Sequence, residues 1–372
     1  MAKNNITYLT KHYYFAALFI VLVTFTSCDD DDPENNIPSS DFDRVTMLQR
    51  AAESLIIPNF EELQASVNTL SSAATDFSAN PNEVELDNLR DAWTESVIDH
   101  QHCSAFGFGP ADLLLGEYAT VLGAYPIDEE QVEANIINPD FILANTFDKD
   151  VRGFYTVEYL IFGSGLTDSE IISGFDQERV DYLLLIIAEL KESFDGIVNE
   201  WKTEYIEQFT TNNSISKGSP MQIFYNGFVK DYENIKNFKL ELPAGLSAGE
   251  SPDPSLVEAF YSGISAQLIA ENWESSKNIY FGRTRNGEEI IGFDEYVASA
   301  EGGPTVVTET QTAIAVIDDD VSSLPSDPLS ANITDQAVAD LANSLQDNTA
   351  NFKANILSLL GLEVSFNSGD GD

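Results

Sequence analysis

VDYLLLIIAELKESFDGIVNEWKTEY, residues 180–205, has the clearest periodic pattern in the chain. Val180, Leu183, Leu184, Ile187, Leu190, Phe194, Ile197, Val198, Trp201 and Tyr205 recur at steps of three and four. That spacing lines one face of an α-helix for about seven turns. A helix of this length with a single apolar stripe buries the stripe against other helices, which predicts a bundle.

The rest of the chain keeps the same period. Helices are expected over 41–57, stopped by Pro58, then over 59–79 and 83–106, with Leu86, Leu89, Ala92, Trp93 and Val97 on one face. Gly107 to Pro110 breaks the chain, a helix resumes over 111–122, and shorter pieces fill 124–148 between Pro126 and Pro139. Beyond the polar segment Asn212–Gly218, helices are expected over 220–238, 255–280, 304–324 and 335–360. A Pro/Gly/Ser loop covers 242–254, and 282–292 reads as a short hairpin or an irregular loop. Few stretches alternate with period two. The expected fold class is all-α, two helical-bundle domains side by side, with a first bundle over 41–211 and a second over 212–372.

The N-terminus has a different chemistry. Lys3 and Lys11 precede an apolar run from Tyr13 to Phe25, and Thr26-Ser27-Cys28 follows. The run is short for a membrane span and has the charged start and small-residue end of a secretory signal. Residues 1–27 are expected to be removed and Cys28 lipidated, leaving 28–40 as an acidic tether that begins with Asp29 to Asp32. This start resembles that of Bacteroidetes-type surface lipoproteins. It implies an outer-membrane, lipid-anchored protein, facing either the cell surface or the periplasm. With Cys28 lipidated, Cys103 has no intramolecular disulfide partner, so the core must supply stability.

The chain carries 62 Asp and Glu against 18 Lys and Arg, a net charge of −44. That balance argues against a nucleic-acid partner, whose phosphates require a basic face. The chain lacks His-Glu-x-x-His, Gly-x-Ser-x-Gly, a phosphate loop and a dinucleotide fingerprint. The runs Asp318-Asp319-Asp320 and Asp370/Asp372 read as solvated carboxylates and do not match a calcium loop.

Two places carry candidate chemistry. RGFYTVEYLIFG, residues 152–163, is apolar nearly all round, so as a helix it is buried on most sides, yet it contains Glu158. A carboxylate there requires a charged or hydrogen-bonding partner. Tyr155 shares its helical face, and Gly153 permits close approach of a backbone or ligand. The second place is His100-Gln101-His102-Cys103. Two imidazoles and a thiol suit a borderline metal, but residues two apart on a helix point in different directions. The alternative is one exposed and one buried histidine, with Cys103 filling space.

The segment Gly153-x-Tyr155-x-x-Glu158-Tyr159-Leu160-x-Phe162-Gly163 resembles the Gly-x-His-x-x-Glu signature of the imelysin-like family, with Tyr155 in place of the histidine. Leu89-Arg90-Asp91-Ala92-Trp93, Phe106-Gly107-Phe108-Gly109-Pro110, Leu242-Pro243-Ala244-Gly245 with Val257–Ser262, and the ending Phe366–Asp372 resemble further family segments in the same order. The resemblance covers roughly residues 42–372. It implies a two-domain helical fold with the site where the signature helix meets both bundles, and a link to iron or metal uptake through a partner protein.

If the signature position ligates a metal, a phenol there favours a small hard ion such as ferric iron, held by Tyr155 and Glu158, with His100 or His102 as a replacement ligand. The competing reading has Tyr155 filling the histidine's space. Three functions follow from the resemblance: a non-enzymatic binding protein, a metallopeptidase, or a structural or adhesive domain with a decayed site. Catalytic zinc commonly requires three protein ligands and an open position, which this chain supplies poorly, so the binding reading is preferred.

Overall fold

Helix periodicity in the sequence becomes helix in the structure wherever a cap and an apolar face coincide. The computed structural model describes residues 42–363 apart from positions 139 and 248. Cys28, the segments 1–27 and 28–40, and the ending 366–372 lie outside the described residues.

Helix α1 (Arg44–Ala51) runs through a π-helical turn, Ala52–Ile56, into α2 (Ile57–Ala79). Pro58 therefore does not end a helix, contrary to expectation. The widened turn, in which the Ile57 N–H reaches the Ala52 carbonyl, takes up the irregularity of a residue without a donor. Asn82 starts α3 (Glu83–Cys103) by accepting the Val84 and Glu85 N–H groups at 3.0 and 3.2 Å. Two short 3₁₀ turns follow, Ser104–Phe106 and Gly109–Ala111.

The helix expected over 111–122 is only its second half. Asp112–Leu113 (β1) pairs antiparallel with Gly116–Glu117 (β2) before α4 (Tyr118–Leu122) begins. Gly116 has φ 121°, a backbone turn that helix geometry does not contain. Helix α5 (Glu129–Ile136) precedes α6 (Gly153–Phe162), which contains Tyr155 and Glu158, and α7 (Asp168–Gly174). The long stripe forms α8 (Gln177–Glu200), capped by Asp176 and continued through a π turn, Trp201–Tyr205, into α9 (Ile206–Thr210). Leu183, Ile187, Leu190, Phe194, Ile197 and Trp201 are all buried. Each such side chain contributes roughly 1.5–3 kcal/mol of transfer free energy. Helix α8 packs on α2 and α6, and α2 packs on α3.

In the second half, Ser219 caps α10 (Pro220–Asn234), which passes through a π segment, Ile235–Glu241, into α11 (Leu242–Ala244). Pro243 thus lies inside helical chain, two residues beyond a π segment, as Pro58 does. The helix expected over 255–280 begins only at α12 (Ser265–Phe281), because 254–264 is a 3₁₀ turn and a series of tight turns. Among them Ala259 takes φ 52°, a conformation β-carbons resist. Arg283 and Glu289 form an isolated antiparallel bridge across the 282–292 segment. The remaining helices are α13 (Phe293–Ala298), α14 (Gly303–Ser322), α15 (Gln336–Ala350) and, after a fourth π turn, α16 (Ile356–Leu360). Asp318 is not simply solvated: it accepts from Trp273 at 2.7 Å and pairs with Lys277 at 2.8 Å.

One apolar cluster extends from Met47 to Leu362 through both halves. The main link between them is α3 on α12. No described helix is long and apolar enough to cross a membrane.

Candidate functional site

Helix α6 is held from every direction. Gly153 opens it at φ 78°, and a β-carbon there would stand 2.0 Å from the Leu122 carbonyl oxygen. The close backbone approach expected of this glycine is that of α4. Arg152, just before it, donates to the Leu143 and Thr146 carbonyls and pairs with Glu189 at 2.5 Å. Trp93 donates to the Phe154 carbonyl at 2.8 Å, and Tyr182 to the Val151 carbonyl at 2.7 Å. Every residue from Gly153 to Ile161 is buried.

From this fixed helix two side chains reach the turn that precedes α12. The Tyr155 hydroxyl donates to Glu258 Oε1. Glu158 Oε1 accepts the Ser262 N–H at 2.7 Å. Tyr155 and Glu158 are thus brought to the same turn but hold different points on it, four residues apart.

Glu258 is the hub. Its Oε2 lies 2.9 Å from the Lys239 ammonium, and Gln101 Nε2 donates to its Oε1 at 3.1 Å. Lys239 also donates to Gln101 Oε1, and Ser265 donates to the Glu258 carbonyl. Tyr155, Glu258, Lys239 and Gln101 are each no more than 6% exposed, so the charges have no solvent to fall back on. An ion pair this deep persists because it is both neutralised and hydrogen-bonded. Burial, then the Glu258 charge, pushes the Tyr155 phenol well above its ordinary value.

Glu158 has no such neutralisation: it has no Lys or Arg ion-pair partner among the described residues. Burial raises it to about 7, with hydrogen bonds from Ser262 and Tyr261 pulling the other way. Nearby, Tyr159 donates to Glu133 and Tyr261 to Glu129, each at 2.7 Å, and the two rings lie 5.3 Å apart.

The histidines do not divide into one exposed and one buried. Both are buried, at 4% and 3% exposure. His100 packs against the Tyr118 and Phe154 rings, and burial lowers it to about 4, so it is neutral. His102 meets Glu271 at 2.9 Å instead. Cys103 is a buried free thiol. The structure does not bring the two imidazoles together. Among the described residues no cluster of three or more His, Cys, Asp or Glu side chains is arranged around a metal position.

Glu258 also lines a cavity of about 520 Å³ bordered by residues of both halves of the chain. His100, Gln101, Lys239 and Glu258 form part of its buried floor. Lys239 carries no mark in the sequence, and Glu258 and Gln101 stand there only as members of the Val257–Ser262 and His100–Cys103 segments. For Glu258 the signal was present, since Leu256-Val257-Glu258-Ala259-Phe260-Tyr261 places an acid in an apolar run just as 152–163 does.

The buried acid–tyrosine–lysine network and the cavity beside it are set in an all-α fold, and sequence comparison shows the family to which that fold belongs. The imelysin family model, a peptidase family by its name, matches residues 56–356, and the chain belongs to that family. An iron-regulated protein A of Synechococcus elongatus is 20% identical over 253 residues, 64% of this chain and 65% of that protein. The chain thus spans less than two thirds of that relative's length. A solved structure of a proposed iron-regulated protein A precursor from Parabacteroides distasonis superposes with TM-score 0.72 at 19% identity, covering 87% of this chain and 97% of that one. An imelysin-like protein from Psychrobacter arcticum gives TM-score 0.66 at 18% identity, covering 87% and 96%. These likenesses establish the fold, and two of the relatives are named as iron-regulated proteins.

Proposed function

We propose that this chain is a non-enzymatic binding protein of the imelysin family, anchored by a lipid on Cys28 at the outer membrane and connected with uptake of iron or another metal through a partner protein. The observation that carries the reading is the engagement of Glu258. Its two oxygens are committed to Tyr155, Gln101 and Lys239, which makes the network a fixed wall rather than a set of free acids and bases. A fixed polar floor under an apolar-walled cavity is the architecture of a ligand site. The names of the relatives support the iron connection, and the sequence before residue 41 supports the lipid anchor.

A ferric ion resident on Tyr155 and Glu158 fits these side chains poorly. The phenol would have to ionise against both burial and the Glu258 charge. The Lys239 ammonium already supplies the positive charge that Glu258 requires. No step is therefore assigned to a metal on these residues.

The test is iron uptake by cells lacking the chain, complemented with the wild type, alongside assay of the purified protein on a peptide library. Reduced uptake restored by the wild type, with no cleavage, is the expected result. Chelator-sensitive peptide hydrolysis lost in Glu158→Ala would overturn the reading in favour of a metallopeptidase. Unchanged uptake would overturn the iron connection and leave a structural or adhesive role.

A further inference from the structure

The cavity sorts its charged lining by depth. Glu117, Lys149, Lys230, Asp231, Lys239 and Glu258 all border it. On the floor, Lys239 and Glu258 neutralise each other at 2.9 Å. Asp231 is 2% exposed and accepts from Asn272 at 2.6 Å, so it is already engaged in the wall. At the rim, Lys230 pairs with Glu117 at 2.6 Å, both being about one third exposed.

Lys149 is the exception. Among the described residues it has no carboxylate within ion-pair distance. Its ammonium stands 3.5 Å from the point where a β-carbon on Gly116 would lie, one residue before Glu117. Lys149 and Lys230 therefore both border the 116–117 strand, and with Glu117 the rim carries one surplus positive charge, which over the whole cavity is balanced by the buried Asp231 carboxylate. This surplus occurs in a chain with only 18 basic residues against 62 acids, where most of the surface repels anions.

The remaining wall is largely apolar. Phe108, Tyr125, Leu256 and the half-exposed Phe238 face the same space. We propose that the cavity binds a small organic carboxylate, its carboxylate group at Lys149 and Lys230 on the rim and its apolar body against Phe108, Tyr125 and Phe238. The volume of about 520 Å³ suits a molecule of that kind. Phosphate esters fit less well, because dianion sites generally use an arginine fork or a nest of backbone N–H groups and the lining offers no arginine. This inference deepens the binding reading above and rests on it.

Calorimetric titration of the full chain in detergent tests it, with acetate, hexanoate, 3-phenylpropionate and indole-3-acetate as probes, the primary amide of each, and phenyl phosphate. The expected result is binding of at least one of the larger acids, at least tenfold weaker for its amide, and weakened by added salt. Lys149→Gln should lose at least tenfold in affinity without a change in melting temperature, and Lys149→Arg should retain binding. Equal affinity for acid and amide, tighter binding of phenyl phosphate, unchanged affinity in Lys149→Gln, or no binding of any acid would each overturn the proposal. Normal iron dependence in cells combined with no carboxylate binding would reject this inference alone. Carboxylate binding without an iron phenotype would reject the iron connection alone.

Discussion

Tyr155 and Glu258 are 103 positions apart in the chain, and the hydroxyl of the first donates to the carboxylate of the second at the junction of the two halves. Tyr155 is thus neither idle nor free. It is one of the partners that hold a buried acid in place beside Lys239.

Tyr155→Phe should remove this hydrogen bond while keeping the ring contact with Tyr125 at 5.2 Å. A hydrogen bond to a charged group contributes about 1.5–3 kcal/mol. A loss of that size, measured by urea unfolding, is expected. Lys239→Met should cost more, about 3–5 kcal/mol, because it strands a buried carboxylate. Combining Lys239→Met with Glu258→Gln should then recover part of the loss, since the pair falls together.

Glu158 gives a pH dependence of defined sign. Its folded-state value is raised from 4.5 to about 7, so the folded protein holds this proton more tightly than the unfolded chain. The stability it contributes is complete below about 4.5 and is lost as pH rises through about 7. The span corresponds to about 3 kcal/mol. Asp231, raised from 3.8 to about 6, acts in the same direction. Glu158→Gln keeps an oxygen for the Ser262 N–H and removes the titration. The stability of wild type minus that of Glu158→Gln should therefore fall between pH 4.5 and about 7 and level off above it in denaturant titrations.

His100 acts on the opposite limb. Burial lowers it from 6.5 to about 4, so its contribution is present above 6.5 and disappears as pH falls toward 4. His100→Phe keeps a ring beside Tyr118 and Phe154 and removes an Nδ1 atom with no hydrogen-bond partner. The variant should be at least as stable as wild type at pH 7 and should lose less stability between pH 6.5 and 4.

Gly153→Ala should be severe. The added carbon would overlap the Leu122 carbonyl at 2.0 Å, with φ at 78° as well. A loss above about 3 kcal/mol is expected from overpacking and strain together. Gly165→Ala is the control: φ is 69°, but nothing lies within 4 Å, so strain alone should cost about 1 kcal/mol. Thermal melts of the two variants side by side separate the terms.

Much of the helical architecture could be read directly. The stripe from Val180 to Trp201 needs only its own spacing to become α8, and Glu158 announces itself as an acid in an apolar run. The departures share one cause. Pro58 and Pro243 are helix breakers by local rule, and each is accommodated by a π segment two residues earlier. The 111–117 and 255–264 segments carry apolar residues at helical steps, but glycine turns, a β pairing and the strained Ala259 claim them instead.

Local pattern was enough to show that this chain is helical, that α6 is buried and that Gly153 leaves room for a close neighbour, because each is a property of residues within a few turns of one another. Where Tyr155 and Glu158 point depends on contacts made after folding. Glu258, Lys239 and Gln101 come from segments more than a hundred residues apart at the extremes, and periodicity carries no information at that separation. The cost of an unpaired charge in a dry interior selects those partners, and that cost arises only once the two halves have closed over the acid.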